Sequence, residues 1–210
     1  MYSRLWQWPA RDRHFVGRSI ELGRLHGLLD GARRVLVLGP PGLGKRALIG
    51  EYGHRFAACY GTYGHALQVC AASAIVAQPP GLSATGLYHL TTDEAVPDPA
   101  AEASLLSALR ALPRAAPACH IVASTASEDL ARTVEGEGYS VLSLPPLPDE
   151  DGLSLIIARS QRHHVNPQER QAAMTLVAAA AGVPATLCRL ADRARAQDMP
   201  WSECLRRNLI

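Results

Sequence analysis

Val35-Leu36-Val37-Leu38-Gly39-Pro40-Pro41-Gly42-Leu43-Gly44-Lys45 is the stretch from which the rest of the chain can be placed. Four consecutive apolar residues, Val35 to Leu38, fit a strand buried on both faces, as strands inside a parallel sheet are. Gly39 to Gly44 is a loop by composition. A helix is expected from Lys45 to about Ala58, weakened by Gly50 and Gly53. Gly39 to Lys45 matches G-x-x-x-x-G-K in the strand–loop–helix context that this pattern requires. Backbone N–H groups wrap a phosphate at the helix N-terminus, glycines permit close approach, and Lys45 reaches the β- and γ-phosphates.

Upstream, Ser19 to Asp30 carries Ile20, Leu22, Leu25, Leu28 and Leu29 at helical spacing, with Ser19 able to cap it. Downstream, strands are expected at 65–71, 86–90, 120–124 and 139–144. Helices are expected at 100–112, where leucines 105, 106, 109 and 112 share a face, and at 127–134. Strands alternating with helices mean an α/β fold with a parallel sheet of about five strands flanked by helices. After Pro145-Pro146-Leu147-Pro148 no strand pattern returns. Helices are expected at 149–163, 167–181, 184–197 and 201–208, with Asp149, Glu150 and Asp151 as cap and dipole residues of the first. The expected organisation is an α/β domain over 1–147 and a small all-helical, lid-like subdomain over 148–210.

Composition removes several classes. Of the 210 residues 48% are apolar, which excludes a disordered chain. A net charge of +2 is too small for electrostatic nucleic-acid binding, so the basic N-terminal residues Arg4, Arg11, Arg13 and Arg18 read as a solvated segment. No apolar run reaches the roughly 18–20 residues of a membrane span. MYSRLWQWPARDRHF has no apolar core of a signal peptide, and a cytoplasmic location is expected. Five scattered cysteines without a C-x-x-C pair read as buried thiols in a reducing compartment. His163-His164, adjacent in sequence, make a poor chelate and read as a helix end. Trp6, Trp8 and Trp201 read as anchors of the termini on their own domain, with partner binding as the other reading.

The residue after Lys45 departs from the phosphate-loop pattern. A working loop has Ser or Thr there, whose hydroxyl ligates Mg²⁺. This chain has Arg46, which offers no oxygen to a cation but can bring its own positive charge to the phosphates.

His14-Phe15-Val16-Gly17-Arg18, a short helix and then VLVLGPPGLGK resemble the start of STAND-class P-loop NTPase modules. These are the NB-ARC/NACHT-type switches related to AAA+ ATPases. The resemblance implies that Val16, Gly17 and Arg18 lie against adenine. It implies a nucleotide held by Gly39, Pro40, Gly42, Leu43, Gly44, Lys45, Arg46 and Ala47, with Pro184 of AAGVPATLCRLA approaching the base. GLYHLTTDE resembles the family's Walker B strand, HIVASTAS its sensor strand, and VLSLPPLPDEDGLSLI the strand and helix that follow. The departures fall on chemistry. Ser19 stands where Glu usually follows VGR, Thr91 and Thr92 stand for the paired acids, and Ala126 stands for the sensor arginine. Asp93 and Glu94 come two residues late, and the helix between the second and third strands is missing. This combination resembles the inactive STAND modules of bacterial conflict and signalling systems.

The expected function is a degenerate nucleotide-binding switch or scaffold that takes ATP or ADP weakly or not at all, with little or no hydrolysis. Two alternatives remain. One is an active ATPase that uses Lys45 and Glu94, with Asp93 and Glu94 turned into the site rather than facing solvent; the other is an AAA-type nucleic-acid loader, given the shared VGR box. No protein metal site is expected, and Arg46 puts Mg²⁺ in doubt. A core of this kind needs a partner chain or copies of itself; neither membrane nor nucleic acid is expected as a partner.

Overall fold

A computed structural model of the chain describes residues 8–60, 68–69, 86–91, 99–162 and 166–207. These fall into two compact units. The first comprises residues 8–12, 19–41 and 45–144; the second comprises 13–18, 42–44 and 145–207.

The first unit runs α1 (Ser19–Ala32), β1 (Arg34–Leu38), α2 (Lys45–Phe56) with a 3₁₀ turn (Ala57–Tyr60), then β2 (Gln68–Val69) and β3 (Leu87–Thr91). It continues through α3 (Pro99–Ala115), β4 (His120–Thr125), α4 (Glu128–Glu135) and β5 (Ser140–Ser143). The sheet is parallel with order β2-β3-β4-β1-β5. Val35, Leu36 and Val37 are each fully buried, as the unbroken apolar run requires. After β1 the chain crosses to the far edge at β2 and returns to β4 beside β1; β5 then pairs on the other side. The strand order therefore reverses at β1, the place where open α/β sheets take ligands beyond their strand C-termini.

On one face Leu36, Tyr88, Leu90, Ile121 and Ala123 pack with Leu105, Ala108, Leu109 and Leu112 of α3 and with α4. The helix over 100–112 runs on to Ala115 through Pro113. A proline at 113 has no N–H for the Leu109 carbonyl. The Tyr139 hydroxyl donates to that carbonyl instead, at 2.8 Å. Ser127 caps α4 by accepting from the Leu130 N–H at 3.3 Å.

Gly50 and Gly53 admit the N-terminal segment to the surface of α2. A Cβ on Gly53 would lie 2.0 Å from the Trp8 ring, and one on Gly50 would lie 3.3 Å from the Ala10 carbonyl oxygen. The Trp8 indole N–H donates to the Gly50 carbonyl at 3.1 Å. Trp8 thus anchors its segment on its own unit, while Trp6 lies outside the described residues. Of the thiols, Cys119 and Cys204 are buried, but Cys188 is half-buried and Cys59 is exposed. Cys59 corrects the reading of uniformly buried cysteines: it is exposed in the 3₁₀ turn, next to the buried Tyr60.

The second unit is helical: α5 (Asp149–Ser160), α6 (Pro167–Ala179), α7 (Pro184–Ala196) and α8 (Trp201–Arg206). Its core joins Leu153, Ile156, Leu176, Val177, Leu187 and the fully buried Trp201. The alanine-rich α6 places Ala172 and Ala173 in this core. Gly152 lets α5 approach α6, since a Cβ there would lie 2.6 Å from Val177. Asn166 caps α6 through its side-chain oxygen, 2.8 Å from the Glu169 N–H. The Glu169 carboxylate in turn accepts from the N–H groups of Trp201 and Ser202 at the start of α8, at 2.5 and 3.3 Å. At α5 the N-cap is Pro148, with no side-chain cap bond, so Asp149, Glu150 and Asp151 act as first-turn acids and not as caps. Glu150 pairs with Arg170 at 3.1 Å. The helix stops at Ser160 with Gln161 left-handed, earlier than the expected 163; His163 and His164 lie outside the described residues. Among the described residues no helix is long and apolar enough to cross a membrane.

Candidate functional site

The Gly39–Lys45 loop leaves the C-terminal end of β1, flanked in the sheet by β4 and β5. Gly39 is buried, and its N–H donates to the Thr125 carbonyl at the end of β4, at 3.2 Å. Lys45 opens α2 and is 3% exposed. Its ammonium donates to the loop's own carbonyls, Gly39 at 2.5 Å and Pro40 at 2.9 Å. The cation is thereby folded back along the loop, with its charge satisfied by oxygens that a phosphate could replace. Arg46, the next residue, is exposed, and Ala47 is half-buried.

Gly42, Leu43 and Gly44 belong to the second unit. Gly42 and Gly44 have φ of +85° and +86°, a left-handed backbone that favours glycine. The Gly42 carbonyl accepts from the Ala185 N–H at 3.1 Å, and a Cβ on Gly42 would stand 3.0 Å from that of Ala185. Pro184 is the first residue of α7, with its ring 3.8 Å from a Cβ built on Gly44. Arg18 is 6% exposed and donates to the Leu43 carbonyl at 3.2 Å. Val16 packs against the helical core, and Gly17, at φ +65°, lies under Asp151, whose carboxylate would meet a Cβ at 2.4 Å. The second unit thus brings together Val16–Arg18, Gly42–Gly44 and Pro184, as three sequence-distant pieces of the expected nucleotide set.

Asp93 and Glu94 lie outside the described residues, as do Thr92 and most of the segment between β2 and β3. Thr91 ends β3, in register with Ser124 of β4. Ser124 and Thr125 are buried, and Thr125 Oγ1 accepts from the Ser127 N–H at 3.1 Å. Ala126, at the sensor position, is exposed. Among the described residues no group of three or more His, Cys, Asp or Glu could hold a metal. The P-loop pattern implies Mg²⁺; among the described residues, position 46, where that pattern places a hydroxyl ligand, holds a guanidinium with five N–H donors and no oxygen.

Two further ionisable groups of the first unit are buried. Glu51 of α2 is 1% exposed and accepts from Arg11 at 2.8 and 3.0 Å and from Arg55 at 2.6 Å. The Arg11 hydrogen bonds, reinforced by Arg55, hold its carboxyl at about 2 against the cost of burial. His89 of β3 is fully buried, with neither ring nitrogen hydrogen-bonded. Burial, and then the positive charge of Arg46, push it down to about 3. Sequence reading singled out neither residue. The alternation in Leu87-Tyr88-His89-Leu90 carried a signal for His89, because Tyr88 and Leu90 join the α3 face and His89 must face the other way, where the Trp8 ring lies 5.9 Å from it.

No protein-family model matches the sequence, and no curated protein does. Solved structures match its fold. The RuvB Holliday junction branch migration motor of Thermotoga maritima superposes with a TM-score of 0.62 at 20% identity, over 90% of this chain and 65% of that one. The Walker-type ATPase of Pyrococcus abyssi superposes with a TM-score of 0.61 at 14% identity, over 97% of this chain and 74% of that one. The chain has the α/β, P-loop NTPase-like fold of these structures, and it spans about two thirds of the length of RuvB.

Proposed function

We propose that this chain is a nucleotide-binding switch or scaffold that takes ADP or ATP at Gly39–Lys45 and turns it over slowly or not at all. The observation that carries this reading is the state of Lys45: buried at the head of α2, its ammonium rests on two loop carbonyls. A lysine placed as a solvated turn residue would not be buried, whereas one that exchanges carbonyl oxygens for phosphate oxygens has to lie along the loop. Slow turnover follows from Arg46 and Ala126, which replace groups that handle the metal and the transferring phosphoryl. Loss of metal stabilisation alone is worth at least ~10³-fold in rate.

In this reading residues 1–147 form the nucleotide-binding domain and 148–210 a lid-like subdomain. The resemblance to inactive STAND modules supports a signalling role in the cytoplasm, exerted through a protein partner or through copies of the chain itself. The test is to denature freshly purified protein and to identify any released nucleotide by ion exchange, beside Lys45→Ala. ADP or ATP from the wild type alone, or a thermal shift with added nucleotide that Lys45→Ala abolishes, is the expected result. An empty wild type with no shift overturns nucleotide binding and leaves a scaffold.

A further inference from the structure

We infer that residues 8–12 form a proton-sensitive latch: Trp8 is clamped over His89 while that ring is neutral, and protonation of His89 favours a state in which the segment has left its seat on α2. The seat is made by leaving side chains out. Gly50 and Gly53 keep the surface of α2 open, and the Trp8 ring occupies the volume that a side chain at 53 would fill. Polar bonds hold the segment there: the Trp8 N–H on the Gly50 carbonyl, His54 Nε2–H on the Pro9 carbonyl at 3.3 Å, and Arg11 on Glu51. Trp8 and Pro9 are half-buried, Ala10 and Arg11 exposed. None of residues 8–12 belongs to the apolar cluster that joins the sheet to α3 and α4. A segment of this kind can lift while that core stays packed.

His89 is fully buried with neither ring nitrogen hydrogen-bonded, and the Trp8 ring lies over it at 5.9 Å. A buried imidazole without partners has lost its water and gained no bond in return. Lifting Trp8 readmits water, and a hydrated imidazole takes its proton near 6.5, whereas the covered ring is held at about 3. The closed state is therefore fully favoured above the upper value and loses its advantage as pH falls toward the lower one. Arg46 of α2 acts on His89 with the same sign and opposes its protonation under the closed latch. On β4 Val122 is in register with His89, and His120, two positions before it, shares that face. His120 is also lowered by burial, but it stands edge-on to Tyr60 at 4.8 Å and not under Trp8. The segment's own bonds persist on acidification: Glu51 stays ionised well below pH 5, and a protonated His54 still donates to Pro9.

The experiment is fluorine NMR of the full chain labelled with fluorotryptophan, from pH 7.5 to pH 5. Trp6, Trp8 and Trp201 are assigned by single substitutions to Phe, and saturation transfer reads the open population at Trp8. That population should rise as pH falls, by up to about tenfold per pH unit below 6.5 for one proton. The Trp201 resonance, from the fully buried core of the helical unit, should stay in place. His89→Phe keeps an apolar ring under Trp8 and should make the open population independent of pH. Gly53→Ala, which crowds the seat, should raise the open population at pH 7.5 and keep its pH dependence. An open population that is undetectable or constant down to pH 5 overturns the latch. So does movement of Trp8 and Trp201 together, which would mean global unfolding, or the same pH dependence in His89→Phe. If His89→Phe does not fold, a Gly53→Ala chain whose open population ignores pH overturns it equally.

Discussion

The Trp8 ring fills the side-chain volume over Gly53: a Cβ on that glycine would lie 2.0 Å from the indole. Helix α2 therefore keeps a poor helix former in its interior to seat the N-terminal segment. Gly53→Ala should lower stability by about 1–3 kcal/mol through overpacking, even though it raises helix propensity. Gly23 of α1 is the control, because nothing lies within 4 Å of a Cβ there. Gly23→Ala should raise stability by about 1 kcal/mol. Urea denaturation measures both, and a red shift of tryptophan fluorescence in Gly53→Ala reports release of Trp8. Equal effects of the two substitutions would refute the packing argument.

Tyr139 and Pro113 should be energetically coupled through the Leu109 carbonyl. Tyr139→Phe removes the hydroxyl donor at 2.8 Å and leaves a buried acceptor unpaired, a loss of about 1–3 kcal/mol. In a Pro113→Ala background the restored amide can donate to the same carbonyl, and Tyr139→Phe should cost less. A double-mutant cycle on denaturation midpoints measures the difference; additive effects would show that the hydroxyl does not substitute for the missing helical bond.

Stability should fall below neutral pH because of His89. An exposed histidine takes up its proton near 6.5, whereas the folded chain holds His89 at about 3. Between these values the unfolded chain binds a proton that the folded chain does not. Stability is then full above the upper value and lost as pH falls, at about 1.4 kcal/mol per pH unit for one proton, levelling off near the lower value. Burial lowers His120 as well, and it adds in the same direction. Denaturation between pH 7.5 and 5 should give a slope that His89→Phe reduces by about one proton. An unchanged slope in that variant would mean that His89 is solvated.

Glu51 titrates lower and with the same sign. Its carboxyl lies at about 2 against an ordinary 4.5, so its contribution is present above the ordinary value and lost as pH falls toward 2. At neutral pH Glu51→Gln should cost about 1–3 kcal/mol. The loss stays moderate because the Arg11 and Arg55 side chains are 61% and 48% exposed and remain hydrated when the carboxylate is gone. Thermal melts at pH 7 and pH 3 check this: the gap between variant and wild type should narrow at the lower pH.

The strand–loop–helix turn around Gly39–Lys45 was legible because its signal is local. Two glycines at the φ-positive positions, a buried strand before them and a helix after them lie within a few residues of one another. Strand and helix positions followed from periodicity alone, so β1, β4, α1 and α6 stand within a few residues of their expected bounds. Helix ends were less legible. The stop expected before Pro113 is overrun to Ala115 because a tyrosine 30 residues away takes up the freed acceptor. Gly50 and Gly53 read as weaknesses of a helix because the segment that needs their space, Trp8 to Ala10, lies some 40 residues upstream.

The sequence by itself determined the alternation of strand and helix, the change to helices after Pro148, and a loop chemistry with Lys45 followed by Arg46 in place of a hydroxyl. These depend on spacing and side-chain identity along one stretch of chain. Only the tertiary structure decided that β1 lies between β4 and β5, that Lys45 is turned onto Gly39 and Pro40, that Glu51 is a buried carboxylate shared by two arginines, and that His89 is sealed away from hydrogen-bond partners. All but the Lys45 contacts, which lie within a single loop, depend on which distant segments meet. Local periodicity fixes which face of an element is buried, but the partner on that face and the polarity it brings are set by packing.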